Sequence, residues 1–395
     1  MRELDFSKKN LAEVWEEVKE DFWEDFNSQS LTLTRKIVEE TLGEEMAIRV
    51  GALRHERSEK RVGYRNGHYR RDLVTRMGVL EGIKVPRCRD GGFRTKVFVR
   101  YKRYREEVEE AVRRMFLAGV STRRVGDAIK PLLGASMSAQ TVSRITRSLD
   151  QEVRRFHSRA LSDEYRYLFL DGVSLKVRDG VRVRKKSILV AYGIRWDGRR
   201  EIIDFCQVGA ESTASWEAFL NDLFLRGLLG KRLELIISDG SPAIKAALEL
   251  VYGKVPHQRC WAHKLRNVAA KLKKRDQEEC ISQAREIYNA PHRREAIEAF
   301  WRWARRWRKV APKAVECLEK DLEELLAHFD CPLEHRKRIR TTNVIERSFR
   351  EVRRRIRPMS SFKNKKSCDR IIYGITHHLN EQWEKKPLKE FTQKS

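Results

Sequence analysis

Two short apolar runs, each followed by Asp-Gly, stand out in the pattern of hydrophobic and polar positions. Residues 168–170 precede Asp171, and residues 235–237 precede Ser238 and Asp239. Continuous apolar runs of this length are typical of strands that are buried on both faces. If the two strands are neighbours, Asp171 and Asp239 share one edge of one sheet. Two carboxylates placed there repel each other unless they bind a divalent cation.

A second interpretation applies to every Asp-Gly pair, because Asp-Gly between apolar residues is also a hairpin-turn signal. We interpret Asp179 and Asp197 as plain turns, since alternating polar and apolar strands flank them. Asp239 differs, because a Ser-Pro pair follows and predicts a helix that begins with proline. For Asp171 the pattern alone leaves both the turn and the metal ligand open.

The chain before this sheet is predicted to be helical, with one basic strand-and-loop segment. Residues 1–57 have apolar positions close to helical spacing and are predicted to form a pair of packed helices. Residues 58–105 are basic, aromatic and punctuated by glycine, with strands predicted over 69–75 and 79–85. Phosphate contact by this segment, through Arg65 and Asn66, is favoured over an exposed, solvated basic face.

Residues 106–161 are predicted to form a helix-turn-helix domain followed by a linker helix. A break at Gly119 ends the first helix, and Ser138 caps a last helix whose inward face includes Val142, Ile145 and Leu149. The polar residues outside can reach base edges or phosphates, although a plain structural bundle is the alternative. The residues predicted to contact DNA are Arg123, Gln140, Thr141, Ser143, Arg144 and Arg147.

Residues 162–275 are predicted to form an α/β domain. Three successive strands, a helix, a strand, a helix and a short strand are the element order of a ribonuclease-H-like core. The predicted elements are strands at 165–171, 187–196, 201–208 and 235–239, helices at 215–228, 242–251 and 260–272, and a short strand near Val255.

A helical insertion is predicted over residues 276–337. It contains Trp301, Trp303 and Trp307 among arginines, and Trp303 and Trp307 lie one helical turn apart. Packing of the inserted helices against each other is the favoured role of these tryptophans. A base-stacking platform in a basic groove is the functional alternative.

Cys260 and His263 have a Cys-x-x-His spacing that raises the question of a zinc site. A structural zinc ion needs four ligands, and no second pair stands at the spacing of a zinc finger. We therefore expect no zinc and interpret Cys260 as a packing residue beside the sheet edge that carries Asp171 and Asp239.

Residues 338–395 contain a basic helix and a tail. Glu346 stands three residues after Asn343, which resembles a capping box, and it is also the candidate for a third metal-binding carboxylate. Arg347, Arg350 and Arg354 follow on this helix, where they are predicted to contact phosphates.

The amino-acid composition indicates which class of partner the protein binds. The 395 residues include 84 Lys and Arg against 57 Asp and Glu, a net charge of +27 that predicts a polyanionic partner, most simply nucleic acid. A membrane surface is disfavoured, because no apolar run reaches transmembrane length and no signal peptide opens the chain. The seven scattered cysteines favour a reducing cytoplasm.

Taken together, the motifs resemble those of DDE transposases of bacterial insertion sequences, the Mutator-type family, over nearly the whole chain. The motifs in order are Gly-Tyr-Arg-Asn-Gly at 63–67, Val-Pro-Arg at 85–87, Gly-Val-Ser-Thr-Arg at 119–123, Thr-Val-Ser-Arg-Ile at 141–145, Leu-Asp-Gly at 170–172, Asp-Gly-Arg-Arg-Glu at 197–201, Arg-Gly-Leu at 226–228, Ser-Asp-Gly at 238–240, Cys-x-x-His at 260–263 with Arg-Asn at 266–267, and Thr-Asn-x-x-Glu-Arg at 342–347.

The resemblance implies a ribonuclease-H-like catalytic domain with a helical insertion before a catalytic glutamate. It places the catalytic triad on Asp171, Asp239 and Glu346. It also implies recognition of terminal inverted repeats in double-stranded DNA, a homodimeric synaptic complex in a nucleoid-associated bacterial protein, and transposition through a circular intermediate.

The chemistry expected of such a site is phosphoryl transfer with two Mg²⁺ ions, which Mn²⁺ can replace. Water would first free a 3′-hydroxyl at the element end, and this hydroxyl would then attack another phosphodiester. The two alternatives are a DNA-binding regulator with a structural sheet domain, and a hydrolytic nuclease that never joins strands.

Overall fold

The structure, a computed structural model, describes residues 11–98, 103–118, 120–180, 182–356 and 361–392. It divides into two compact units, Met1–Ser148 and Leu149–Ser395. The sequence-based division kept a linker helix together with the DNA-binding domain, up to residue 161. In the structure, residues 149–161 group with the second unit.

The first unit begins with one long helix and a β-hairpin. The helix α1 spans Leu11–Val50, and the hairpin strands are β1 (Arg65–Thr75) and β2 (Gly78–Cys88). Leu42 of α1 is fully buried in an apolar cluster with side chains of both strands. The predicted pair of helices is wrong: residues 11–50 contain no proline, and the single glycine in that range is accommodated within the helix.

Three short helices complete this unit: α2 (Glu106–Leu117), α3 (Thr122–Leu133) and α4 (Ala139–Thr146). Ser121 caps α3 and Ser138 caps α4, each accepting a hydrogen bond from a backbone N–H one turn along. The inward residues Val142 and Ile145 are buried as predicted. Leu149 is not part of α4, which ends at Thr146, and the predicted break at Gly119 lies outside the described residues.

The second unit is built on a five-stranded mixed sheet. Its order is β5-β4-β3-β6-β7, in which the first three strands are antiparallel and β6 and β7 run parallel to β3. The strands are β3 (Tyr165–Asp179), β4 (Arg182–Arg195), β5 (Arg200–Val208), β6 (Leu235–Ser238) and β7 (His257–Arg259).

Helices cover both faces of this sheet. An apolar cluster joins one face to α6 and α7 and includes the fully buried Trp216. On the other face Phe169 of β3 packs edge-on against Tyr192 of β4, which in turn contacts Trp383 of α15. The helices with their bounds are α5 (Leu149–Ser158), α6 (Thr213–Leu225), α7 (Pro242–Tyr252), α8 (Trp261–Ala269), α14 (Asn343–Ile356), α15 (Lys365–Glu384) and α16 (Lys389–Thr392).

The segment between α8 and α14 is helical, in agreement with the helical insertion predicted over residues 276–337. Its helices are α9 (Lys274–Asn289), α10 (Arg293–Trp307), α11 (Pro312–Glu319), α12 (Leu322–Leu326) and α13 (Leu333–Ile339), with a 3₁₀ turn at Ala327–Asp330. Trp303 and Trp307 are buried between these helices, and their indole N–H groups donate to the Cys280 carbonyl and to the Gln283 side chain. Trp301, in contrast, is 46% exposed. In the part of the chain that the structure describes, no helix is both long and apolar enough to cross a membrane.

Candidate active site

The register of two parallel strands brings Asp171 and Asp239 to the same place in the sheet. The pairing of β3 with β6 ends at Phe169 and Ile237, and each aspartate lies two residues further along its strand direction. The prediction that the first strand ends at Asp171 is wrong. β3 continues to Asp179 because its antiparallel pairing with β4, in which Asp171 opposes Val190, extends beyond the shorter β6. The hairpin-turn interpretation of Asp171 is therefore also wrong.

Asp239 lies in the turn between β6 and α7. Its Oδ1 accepts a hydrogen bond of 2.8 Å from the backbone N–H of Ser241, and α7 begins at Pro242 as predicted. Gly240 has a φ of 69°, a left-handed conformation that side chains disfavour. This turn fixes Oδ1, while Oδ2 of Asp239 has no hydrogen bond from any residue that the structure describes.

Thr342, immediately before α14, connects three of the predicted residues. Its fully buried hydroxyl donates a hydrogen bond of 2.9 Å to Oδ2 of Asp171 and lies 3.5 Å from Nδ1 of His263. Its backbone N–H donates to Sγ of Cys260 at 3.2 Å. The Cys-x-x-His motif thus attaches the start of α8 to the start of α14, beside Asp171. Sequence analysis placed Thr342 in a motif but gave it no role.

Glu346 lies on the first turn of α14 and faces α8. Both of its carboxylate oxygens accept hydrogen bonds from the Arg266 guanidinium, at 2.8 and 3.0 Å, and Oε1 lies 3.6 Å from Nε2 of His263. These hydrogen bonds from Arg266 hold the pKa of Glu346 below its usual range. The capping box is not formed, since the helix begins at Asn343 and the Glu346 carboxylate contacts α8 instead of the backbone N–H groups at the helix start.

Electrostatics couples the three carboxylates. Asp171 is only 5% exposed, and this burial raises its pKa to about 6. His263 and the Thr342 hydroxyl oppose the rise, whereas the negative charges of Asp239 and Glu346 add to it. Sequence reasoning placed Asp171 and Asp239 at one edge of the sheet and made Glu346 the candidate third carboxylate, and in the structure the charges of Asp239 and Glu346 both act on Asp171.

The chemistry of the donor set fits a hard divalent cation. Carboxylate oxygens are the ligands that Mg²⁺ prefers, and within the described part of the chain Oδ1 of Asp171 and Oδ2 of Asp239 accept no hydrogen bond. Across the described ranges, no group of three or more His, Cys, Asp and Glu side chains is already arranged to hold a metal ion. At Glu346, the ion pair with Arg266 occupies both carboxylate oxygens.

A basic cleft adjoins this site on the side of the inserted helices. Its cavity is about 830 Å³ and is bordered by Thr341 and Asn343, which flank the buried Thr342. The cationic side chains that line it are Arg266, Arg285, Lys337, Arg338, Arg340 and Arg347, against the two carboxylates Glu334 and Glu390. Only Arg347 of this set was predicted to contact DNA, because the others come from three different parts of the chain, α8, α9 and the end of α13, with no shared sequence motif.

The predicted DNA-contact residues of the first unit are largely accessible. Thr141 and Ser143 are half-buried, and Arg65 uses its guanidinium to bind the backbone carbonyls of Ala52 and Leu53. The exposed residues are Asn66, Arg123, Gln140, Arg144 and Arg147. On α14 of the second unit, Arg347, Arg350 and Arg354 are exposed, and Arg354 pairs with Glu351 at 2.7 Å.

Comparison with known proteins gives a consistent result. The family model for "Transposase, Mutator family" matches residues 7–386. The transposase of insertion sequence element ISRM5 from Rhizobium meliloti is 36% identical over 88% of this chain and 87% of that protein. The transposase of IS406 from Burkholderia multivorans is 37% identical, over 88% and 90% respectively. The transposase of IS256 in transposon Tn4001 from Staphylococcus aureus is 36% identical over 85% of each chain.

Proposed function

Because this chain belongs to the Mutator family of transposases, we propose that it binds the terminal inverted repeats of an insertion sequence and catalyses metal-dependent cleavage and transfer of their strands. Asp171, Asp239 and Glu346 are the metal-binding carboxylates in this proposal. The observation that carries this proposal is that Thr342 connects three separate segments. Its hydroxyl donates a hydrogen bond to Asp171 and lies beside His263, and Thr342 immediately precedes the helix that carries Glu346.

The sheet of the second unit supports a ribonuclease-H-like assignment. Three antiparallel strands are followed by two strands parallel to the first, in the order β5-β4-β3-β6-β7. The two aspartates come from the central strand and its parallel neighbour, and the glutamate comes from a helix on one face of the sheet. The long helical segment between α8 and α14 is the predicted insertion before the glutamate.

The side chains prepare the site in three ways. The Thr342 hydroxyl orients Asp171, and the turn after β6 orients Asp239. Arg266 holds Glu346 and compensates its charge. A divalent cation bound there would supply Lewis-acid activation of the attacking oxygen and stabilisation of the leaving oxygen. The cationic cleft next to Asn343 would hold the phosphate backbone in line with these carboxylates.

DNA recognition is divided between the two units in this proposal. The exposed residues of the helix-turn-helix unit, with Arg144 and Arg147 on α4, would bind the element ends. The cleft and α14 would hold the strand being cut. Synapsis as a homodimer and a circular intermediate follow from the family resemblance and complete the proposed cycle.

The test is incubation of the purified protein with DNA that carries its flanking genomic ends, Mg²⁺ and a labelled target plasmid. We expect nicks at the element ends and a joined product that contains both label and target. Specific binding without cleavage would favour the DNA-binding regulator, whereas cleavage without joining would favour the hydrolytic nuclease. Shifted duplexes that show no preference for the ends over random DNA would contradict the role of the helix-turn-helix unit.

A further inference from the structure

A fourth carboxylate lies against the strand that carries Asp171. Glu211 stands in the loop between β5 and α6, one residue before the Ser212 cap of α6. It belongs to no motif that sequence analysis connected with catalysis. A Cβ atom built on Gly172 would lie 2.5 Å from Oε2 of Glu211, so this carboxylate occupies the space that a side chain at Gly172 would fill.

Trp216 determines where this carboxylate points. The fully buried Trp216 donates its indole N–H to Oε1 of Glu211 at 2.9 Å. Because the indole is held in the core beneath α6, Oε1 has a fixed position and Oε2 is directed onto Gly172. Residue 211 as a whole is exposed, but its carboxylate lies between Gly172 and Trp216, and among the described residues Oε2 accepts no hydrogen bond.

Glu211 also shares the electrostatic environment of the site. Burial of its carboxylate raises the pKa of Glu211, the negative charge of Asp239 raises it further, and His263 acts in the opposite direction. Asp239 and His263 are the same groups that influence Asp171. Its contact with Gly172 places Glu211 beside the residue that follows Asp171, although it lies 40 residues after Asp171 in sequence.

We propose that Glu211 is a fourth metal-binding carboxylate of the catalytic site, an inference that rests on the proposed metal-dependent function. Its Oε2, which lies against Gly172, supplies a hard oxygen ligand. The absence of a side chain at Gly172 is what lets this oxygen approach the strand beside Asp171.

Two substitutions test this role by different routes. Glu211→Gln keeps an oxygen that can accept the Trp216 hydrogen bond but removes the negative charge. Gly172→Ala keeps the glutamate but puts a methyl group where its carboxylate now lies, so the carboxylate must move away from the strand and give up its hydrogen bond from Trp216. Glu217→Gln, on α6, is the matched control, and Asp171→Asn is the reference for a lost metal ligand.

The measurement is Mn²⁺ binding to the full chain, followed by the electron paramagnetic resonance signal of the free ion, with Mg²⁺ competition. We expect Glu211→Gln and Gly172→Ala each to weaken binding by about 10- to 100-fold, the range seen when groups that support a metal site are lost. The double variant should lose little more than either single variant, since both act on one carboxylate. Glu217→Gln should bind as the wild type does.

The outcomes separate this inference from the proposed function. Weakened binding in Asp171→Asn with unchanged binding in Glu211→Gln would remove Glu211 from the site and leave the three-carboxylate proposal standing. No Mn²⁺ binding by the wild type would contradict both. A lower melting temperature in Glu211→Gln with unaltered Mn²⁺ affinity would show that Glu211 only stabilises the start of α6.

Discussion

Asp171→Asn is expected to stabilise the metal-free protein at neutral pH while it abolishes strand cleavage. The wild-type carboxylate is 5% exposed, and its pKa is raised from 3.8 to about 6 in the folded protein. Well below pH 3.8 the group is protonated in both the folded and unfolded chain, and its ionisation has no effect on the free energy of unfolding. As pH rises towards 6, only the unfolded chain loses the proton easily, and stability falls.

The size of this effect follows from the pKa difference. Each pKa unit corresponds to 1.36 kcal/mol, so a rise of about two units costs the folded wild type about 3 kcal/mol above pH 6. Asparagine has no charge to bury, and its amide oxygen can still accept the hydrogen bond from Thr342. For a unit of this size, about 3 kcal/mol corresponds to a rise in melting temperature of roughly 6–12 °C.

The assay is thermal unfolding in EDTA at several values between pH 4 and pH 8. The melting temperatures of wild type and Asp171→Asn should differ least at pH 4 and diverge as pH increases, and Mg²⁺ should narrow the gap by stabilising only the wild type. Glu249→Gln, an exposed position on α7, is the control and should change neither value. Equal pH dependence in the two proteins, or a less stable Asp171→Asn at pH 8, would refute the buried-charge argument.

Two further predictions concern tryptophan packing and the ion pair of the third carboxylate. Trp303→Ala should lower the free energy of unfolding by about 3–5 kcal/mol because the tryptophan side chain is buried, whereas Trp301→Ala should have little effect. Unchanged stability of Trp303→Ala together with lost strand joining would favour base stacking instead. Arg266→Gln should strengthen Mn²⁺ binding in the absence of DNA, since it releases Glu346 from its ion pair. The measurement is a titration with Mn²⁺ in which the concentration of free ion is followed. Weaker binding by the variant would show that Arg266 instead helps to form the site.

Local signals predicted much of the fold. Ser138 was identified as a cap because capping depends on a residue and its nearest backbone N–H groups. The short buried strand before Asp239 was placed correctly, since its apolar run is bounded by a turn and a proline. The end of the strand containing Asp171 was misplaced, because that strand continues on its pairing with β4 alone, and a polar aspartate within it resembles a boundary.

The candidate site was predictable only where a motif marks it. The three carboxylates stand in motifs, but Thr342 acquires its role only when α14 and β3 are packed together. Glu211 has no distinctive neighbours in sequence, and its position depends on contact with Gly172 and Trp216. The basic cleft likewise collects side chains from separate helices. Long-range packing of this kind leaves no periodic pattern in the chain.

Glu346 is the carboxylate for which replacement distinguishes best between a structural and a catalytic role. The Arg266 side chain with which it forms an ion pair is 57% exposed, so this ion pair contributes no more than about 1 kcal/mol to stability. Even a lost helix cap would cost only about 0.5–2 kcal/mol. Glu346→Gln should therefore fold and bind the element ends as the wild type does.

Cleavage is where Glu346→Gln should fail, because glutamine keeps the shape of the side chain but not the charge that a metal ligand provides. We expect nicking to fall by more than about 100-fold, beyond the usual cost of losing a group that only supports a metal site. Glu351→Gln is the control: it lies on the same helix, about 140° further round, where its carboxylate pairs with Arg354. It should retain nicking activity. Near-normal nicking by Glu346→Gln would exclude Glu346 from the metal site and reduce its role to holding α14 against α8 through Arg266.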